Sequence, residues 1–90
     1  MKPLQVWGCT KIGRKECPRS DNGSNQTREI VAARSRAEAA RLFGSTDHHL
    51  KEYGSITGNA IECAVACAEP GKVFWRPLDD YKALWTRSTT

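Results

Sequence analysis

The chain has 90 residues, of which 39% are apolar and 27% charged, and its formal net charge at pH 7 is +4. This length predicts one domain with a single modest core. The longest apolar-rich run, residues 61–68, is far shorter than the roughly 20 residues of a membrane span. Residues 1–8 hold no apolar stretch typical of a signal peptide. We therefore expect a cytoplasmic protein.

The positive charge is concentrated in the first half of the chain. Residues 1–43 hold nine Lys and Arg against four Asp and Glu, whereas residues 44–90 hold five against six. Such an excess predicts a positive field that attracts nucleic acid or an acidic protein surface.

Two strands, residues 4–8 and 28–33, are predicted to pair antiparallel across a long polar stretch. Residues 9–27 show neither helical nor strand periodicity, and Asn22-Gly23 is strong turn chemistry. We interpret this stretch as a mobile basic loop, because structureless connections of this length are usually functional or disordered. The predicted partner-binding residues are cations in and near this loop and one aromatic residue further on: Lys11, Arg14, Lys15, Arg19, Arg28, Arg34 and Phe74.

A helix is predicted directly after the second strand. Ser35 is its expected N-cap, Glu38 three positions later fits a capping box, and Gly44 provides the C-terminal stop. Its inward face is predicted to hold Ala37, Ala40 and Phe43.

A second short helix is predicted over residues 47–53, and residues 55–59 are expected to form a loop. Ser45 or Thr46 is the expected N-cap and Gly54 the stop. Leu50 and Tyr53 are its predicted inward residues.

Residues 59–68 fit two structures. Alternating apolar residues favour a strand over 60–67, whereas the Asn59–Glu62 capping pattern and four alanines favour a helix, which we prefer. As a helix, the segment would turn Ile61, Ala64, Val65 and Ala68 to one face.

A strand is predicted over residues 72–76, ended by Pro77. Val73 and Trp75 would face one side and Phe74 the other, so Phe74 is core if a helix covers that side and an exposed binding anchor if none does. Asp79 is a candidate cap for a last turn in which Leu78, Tyr81 and Trp85 fold back onto the sheet.

The four cysteines offer only a weak metal site. Cys63 and Cys67 approach zinc-ligand spacing if their segment is helical, but Cys9 and Cys17 lie seven residues apart, unlike a tight knuckle. Reduced, buried cysteines at 63 and 67 are the preferred interpretation. No nucleophile elbow, phosphate loop or zinc-protease motif is present in the sequence, so we predict neither an enzyme nor a cofactor.

Residues 35–54 resemble a helix-turn-helix. In that family a small residue (here Ala40) lets the helices touch, a glycine (here Gly44) makes the turn, and apolar residues (here Leu50 and Tyr53) anchor the second helix. The chain departs from the pattern at Ser45, where the family buries an aliphatic residue. This resemblance implies an alternative function, DNA binding by a transcriptional regulator through the second helix: His48, His49 and Lys51.

The predicted fold class is α+β, a small antiparallel sheet of three to four strands with two to three short helices packed on one face. Residues 30–35 and the segment Thr57-Gly58-Asn59 with Pro70-Gly71-Lys72-Val73-Phe74 resemble small accessory proteins of phages and mobile elements. That resemblance implies a non-catalytic inhibitor that docks on a host nucleic-acid-handling complex, such as a CRISPR-like defence complex.

Overall fold

The computed structural model describes residues 3–12, 26–78 and 84–87. These residues form an α+β fold, as predicted, built around an antiparallel sheet. The elements in chain order are β1 (Gln5–Ile12), β2 (Gln26–Ala33), α1 (Arg36–Phe43), α2 (Asp47–Tyr53), β3 (Ser55–Ile56), α3 (Ala60–Ala68), β4 (Phe74–Pro77) and β5 (Thr86–Arg87).

The sheet has the strand order β3-β1-β2-β4-β5, which makes five strands in the described part of the chain instead of the predicted three to four. Its centre is the β1–β2 pair, in register from Gln5 opposite Ala33 to Ile12 opposite Gln26. This pairing extends into the predicted loop, so that prediction is wrong for residues 9–12 and 26–27. The rest of the predicted loop, residues 13–25, lies outside the described residues.

Helices cover both faces of this sheet, so the prediction that they pack on one face is wrong. Val31 and Ala33 belong to a core cluster with residues of α1 and α2, whereas Ile30 and Ala32 belong to a second cluster with Ala66 of α3. Successive strand residues point to opposite faces, and β2 is apolar at four positions in a row. A continuous apolar run is the pattern of a strand buried on both sides.

Helix α1 begins and ends where the sequence predicts. The Ser35 Oγ accepts a hydrogen bond of 3.1 Å from the Glu38 N–H, and Gly44 takes the left-handed conformation (φ 75°) that ends the helix. Ala40 and Phe43 are buried as predicted. Ala37 is exposed, and Ala39 takes its place in the core.

Helix α2 is also confirmed. Of the two predicted caps, Thr46 is the one used, since its Oγ1 accepts a bond of 3.0 Å from the His49 N–H. Leu50 is buried, and its carbonyl accepts a bond from the Gly54 N–H that ends the helix. The following residues were predicted as a loop, but Ser55–Ile56 pair with β1 as the short strand β3.

Residues 60–68 form helix α3, so the strand alternative is wrong. The Asn59 Oδ1 accepts bonds from the N–H groups of Ile61 and Glu62. The predicted inward face is wrong as well: Glu62 and Ala66 are buried, whereas Ile61 is 68% exposed.

Strand β4 begins two residues later than predicted and includes Pro77 as its last residue. Trp85 packs against the core cluster beneath α3, as expected, whereas Asp79 and Tyr81 lie outside the described residues. Among the described helices, none is long and apolar enough to cross a bilayer.

Candidate functional site

Lys11, a predicted partner-binding residue, is engaged inside the fold. Its Nζ donates a hydrogen bond to the Phe43 carbonyl at the end of α1 and lies 5.9 Å from the centre of the Phe43 ring. The same nitrogen is 3.9 Å from the Glu29 carboxylate, which is fully buried. Lys11 therefore fixes α1 to the sheet and does not belong to a free basic surface.

Arg28 is engaged in the same way on the opposite face. Its Nε and Nη2 each donate to the Glu62 carboxylate at 3.1 Å, which forms a bidentate pair between β2 and α3. The Arg28 side chain is 22% exposed and that of Glu62 only 9%. The Thr57 hydroxyl donates a third bond, of 2.7 Å, to Glu62. Arg28 is thus a second cation that serves the fold.

Two opposing effects act on the pKa of Glu62. Burial alone would raise it, but the hydrogen bonds from Arg28 and Thr57, with the positive charges of Arg28 and Arg76, outweigh burial. The pKa of Glu62 therefore lies below its ordinary value of 4.5, and the group is ionised at neutral pH.

Gly8 of β1 gives the Arg28 side chain room to cross the sheet. A Cβ added at Gly8 would lie 2.3 Å from the Arg28 Nη2, closer than non-bonded atoms approach. We expect Gly8→Ala to displace the guanidinium from Glu62 and to lower the free energy of unfolding by about 1–3 kcal/mol. A urea melt checks this, with Gly58→Ala as the matched control, since a Cβ there meets nothing within 4 Å. Equal stability of the two variants would contradict the packing of Arg28 over Gly8.

The remaining predicted partner-binding residues divide into three groups. Arg34 is exposed between β2 and α1. Phe74 is only 8% exposed and packs in the cluster beneath α3, so its interpretation as an exposed anchor is wrong. Arg14, Lys15 and Arg19 lie outside the described residues.

The α1–α2 pair has the features that suggested a helix-turn-helix. The two helices pack against each other, and Ala40 is 3% exposed where the family requires a small residue. Gly44 has the positive φ of the turn. Leu50 is buried as the anchor of α2, whereas Ser45 is only half-buried at the position where the family buries an aliphatic residue. The side chain of the second predicted anchor, Tyr53, is not among those described.

An ion pair joins the two helices at the surface. The Arg36 Nε donates to one carboxylate oxygen of Asp47 at 2.8 Å and the Nη2 to the other at 3.2 Å. These hydrogen bonds, with the attraction between the charges, raise the pKa of Arg36 and lower that of Asp47. The first residue of α2 is therefore already neutralised by α1.

The outward face of α2 presents polar side chains to solvent. His48 is 83% exposed, with its Nε2 4.0 Å from the Glu52 carboxylate, and Lys51 is exposed on the next turn. His49 is half-buried and lines an open cleft of about 370 Å³ with Thr10, Lys11, Gly44 and Ser45. Of the three residues predicted for DNA contact, His48 and Lys51 thus point outward and His49 lies at the edge of the helix pair.

The described cysteines do not assemble a metal centre. Cys9 is buried, Cys63 is half-buried with its Sγ 3.6 Å from the Thr57 carbonyl, and Cys67 is exposed. Within residues 3–12, 26–78 and 84–87, no three His, Cys, Asp or Glu side chains come together as metal ligands. The expectation that Cys63 and Cys67 are both buried is wrong for Cys67.

Sequence reasoning missed the two carboxylates that occupy the predicted basic residues. Glu29 and Glu62 lie 18 and 34 positions from their partners Lys11 and Arg28. A signal existed for Glu29, since a charge followed by four apolar residues in a two-sided strand must be buried. For Glu62 the only signal was its being the one charge in an otherwise apolar helix.

The fold and surface together define a small α+β protein with a helix pair on one face of an antiparallel sheet and a single helix on the other. Comparison with protein-family models, with curated proteins and with solved structures found no match.

Proposed function

We propose that this protein is a non-catalytic binding protein that contacts duplex DNA through the α1–α2 pair. The observation that carries the proposal is the left-handed turn at Gly44, which packs α2 against α1 through buried Ala40 and Leu50. This packing leaves the opposite face of α2, with His48 and Lys51, exposed to solvent. An exposed second helix held in this way is what enters the major groove in helix-turn-helix proteins.

The charge of the helix pair supports phosphate contact. Because Arg36 and Asp47 neutralise each other, the surface cations that remain for a ligand are Arg41 at the end of α1 and Lys51 on α2. Arg34 lies exposed just before α1. Phosphate contacts position a protein on DNA, and base contacts by residues such as His48 would supply sequence preference.

A salt series tests this proposal. We expect the protein to bind a labelled random duplex in fluorescence anisotropy, with an affinity that falls as salt rises. Because each lost phosphate contact removes about one from the slope of log K against log salt, R41A/K51A should lower the slope by about two. The matched control is Lys72→Ala, an exposed lysine before β4, which should leave the slope unchanged.

Two results would refute DNA binding by α1–α2. One is the absence of binding at low salt, since non-specific affinity is strongest there. The other is a loss of affinity in K72A as large as that in R41A/K51A. If random duplexes bind, selection from a duplex library should recover a preferred sequence, and His48→Ala should relax that preference with little change in the salt slope.

A second candidate function follows from the charge excess in residues 1–43. In this candidate the chain docks on a host protein or protein–nucleic-acid complex, as the likeness to phage accessory proteins suggests, and acts in the host cytoplasm as an anti-defence inhibitor. Since Lys11 and Arg28 are engaged internally, it depends on Arg34 and on the loop cations Arg14, Lys15 and Arg19.

The two candidates predict different results in one pull-down from host lysate. Charge reversal at Arg14, Lys15 and Arg19 should abolish capture of a host complex after nuclease treatment, without lowering the melting temperature. Capture that survives this reversal, or that nuclease removes, would refute docking through the basic loop.

A further inference from the structure

The outward face of α3 is apolar, although it faces solvent. Glu62 is the only charged residue of the helix, and it points inward to Arg28. The exposed residues of the helix are all apolar: Ala60, Ile61, Ala64, Cys67 and Ala68. A surface helix normally carries charged or polar residues on its outer side, and a helix that is apolar all round is normally buried. The face of α3 is therefore that of an interface.

The surface beside α3 has both a projection and a recess. Leu84 is 89% exposed, the highest exposure among the large apolar residues described. The next residue, Trp85, lines an open cavity of about 250 Å³ at the amino-terminal end of α3, together with Asn59, Ile61, Glu62 and Arg76. An exposed leucine next to an apolar-lined recess suits a surface that pairs with its own copy.

We propose that the α3 face binds a second copy of this chain, with the two α3 helices antiparallel about a two-fold axis near Ala64. Ala64 is the middle residue of the helix, and 100° per residue also places it at the centre of the exposed face, opposite buried Glu62 and Ala66. In a two-fold interface the same patch is used on both subunits. Because the centre of this patch carries no charge, two copies meet there without like-charge repulsion.

The charges at the two ends of the helix favour the antiparallel arrangement. Arg76 lies at the amino-terminal end, with its guanidinium 5.2 Å from the centre of the Trp85 ring. Glu69 lies directly after the helix, 45% exposed and paired with Arg87 at 2.8 Å. Antiparallel helices bring the Glu69 end of one copy to the Arg76 end of the other. Parallel helices would place like ends together.

The small size of the patch predicts a weak dimer. A helix of nine residues is about 14 Å long, and with Leu84 it buries well under the roughly 800 Å² per subunit of a standard interface. We therefore expect a dissociation constant in the micromolar range. Since α1 and α2 lie on the other face of the sheet, both helix pairs remain exposed on the outer sides of this dimer.

Sedimentation equilibrium over a wide concentration range tests the dimer without any nucleic acid, so its result is independent of DNA binding. Wild type should change from monomer to dimer as concentration rises, and Ala64→Glu should raise the dissociation constant by at least about tenfold. Ala37→Glu is the matched control, because Ala37 is an exposed alanine on α1, on the opposite face of the sheet. It should dimerise as wild type does.

A second variant covers the event that A64E fails to fold. Ala64→Cys places a thiol beside the proposed two-fold axis, so mild oxidation should link two copies far faster than in wild type, whose exposed Cys67 lies one turn from that axis. Wild type that stays monomeric at about millimolar concentration, or A37E that dissociates as readily as A64E, would overturn the proposal. Binding of a different protein to the α3 face of a monomeric chain would overturn it as well.

Discussion

Glu62→Ala is expected to lower the free energy of unfolding by about 3–5 kcal/mol, because it leaves the Arg28 guanidinium without the carboxylate that holds it beneath α3. The pair is bidentate at 3.1 Å, and the Glu62 side chain is 9% exposed. For a domain of this size such a loss is a large part of the total stability. Urea unfolding at neutral pH measures the loss as a shift in midpoint at an unchanged slope.

The matched control for this variant is Glu69→Ala. Glu69 pairs with Arg87 at 2.8 Å, but both side chains are about half exposed, and exposed pairs contribute at most about 1 kcal/mol. The expected ratio of the two effects is therefore at least three. If E69A destabilised the protein as much as E62A, the burial of the Arg28–Glu62 pair would not be what stabilises the packing of α3.

The pH dependence of the same pair has a definite sign. Because the pKa of Glu62 is lower in the folded chain than its ordinary value of 4.5, the folded state favours the ionised form. The stabilisation is complete above pH 4.5 and is lost as the pH falls through the lower folded-state pKa. Wild type should therefore lose its advantage over Glu62→Gln in acid. A difference between the two that stays constant from neutral pH to pH 3 would contradict this account.

The parts of the fold that sequence predicted are those decided by neighbouring residues. Ser35, Gly44 and Asn59 mark helix ends because each capping bond closes within a few residues. The β1–β2 pair was also predictable, since β-prone runs flank one stretch of turn residues. The α+β class followed from these local elements.

The choice of faces was not predictable, because it depends on contacts between distant residues. Helical periodicity alone favoured Ile61 and Ala64 as the inward side of α3, since both are apolar. The structure turns Glu62 inward because Arg28, 34 residues earlier, reaches it across Gly8. One long-range ion pair thus outweighs the burial of an isoleucine, and it leaves the apolar face of α3 in solvent.

The same cause limited the prediction of the binding surface. Net charge counts every cation alike, but a cation held by a buried carboxylate contributes little field to a partner. Lys11 and Arg28 were chosen for their sign, whereas Arg41 and Lys51, which are exposed on the helix pair, were separated from one another only by the fold. The α1–α2 pair was the better guide, because its turn glycine and small contact residue are local features.

Lys11→Met is expected to lower the free energy of unfolding by about 3 kcal/mol, because it removes an ammonium 3.9 Å from the fully buried Glu29. Methionine keeps an apolar side chain near the Phe43 ring, so the loss reports the charge more than the packing. The hydrogen bond that the Lys11 Nζ donates to the Phe43 carbonyl is lost in the same variant. For a domain of this size the change corresponds to a fall in melting temperature of about 12–24 °C.

A double-mutant cycle separates the charge effect from the loss of the helix contact. Glu29→Gln removes the buried charge, so K11M/E29Q should be more stable than the sum of the two single effects predicts, by at least about 1 kcal/mol. Lys51→Met is the matched control for removing a lysine charge, and as an exposed substitution it should change stability by no more than about 0.5 kcal/mol. Additive single effects would mean that Lys11 acts on α1 alone. In that event the buried Glu29 would depend on its other contacts, among them the Thr27 hydroxyl, which donates to Glu29 at 3.1 Å.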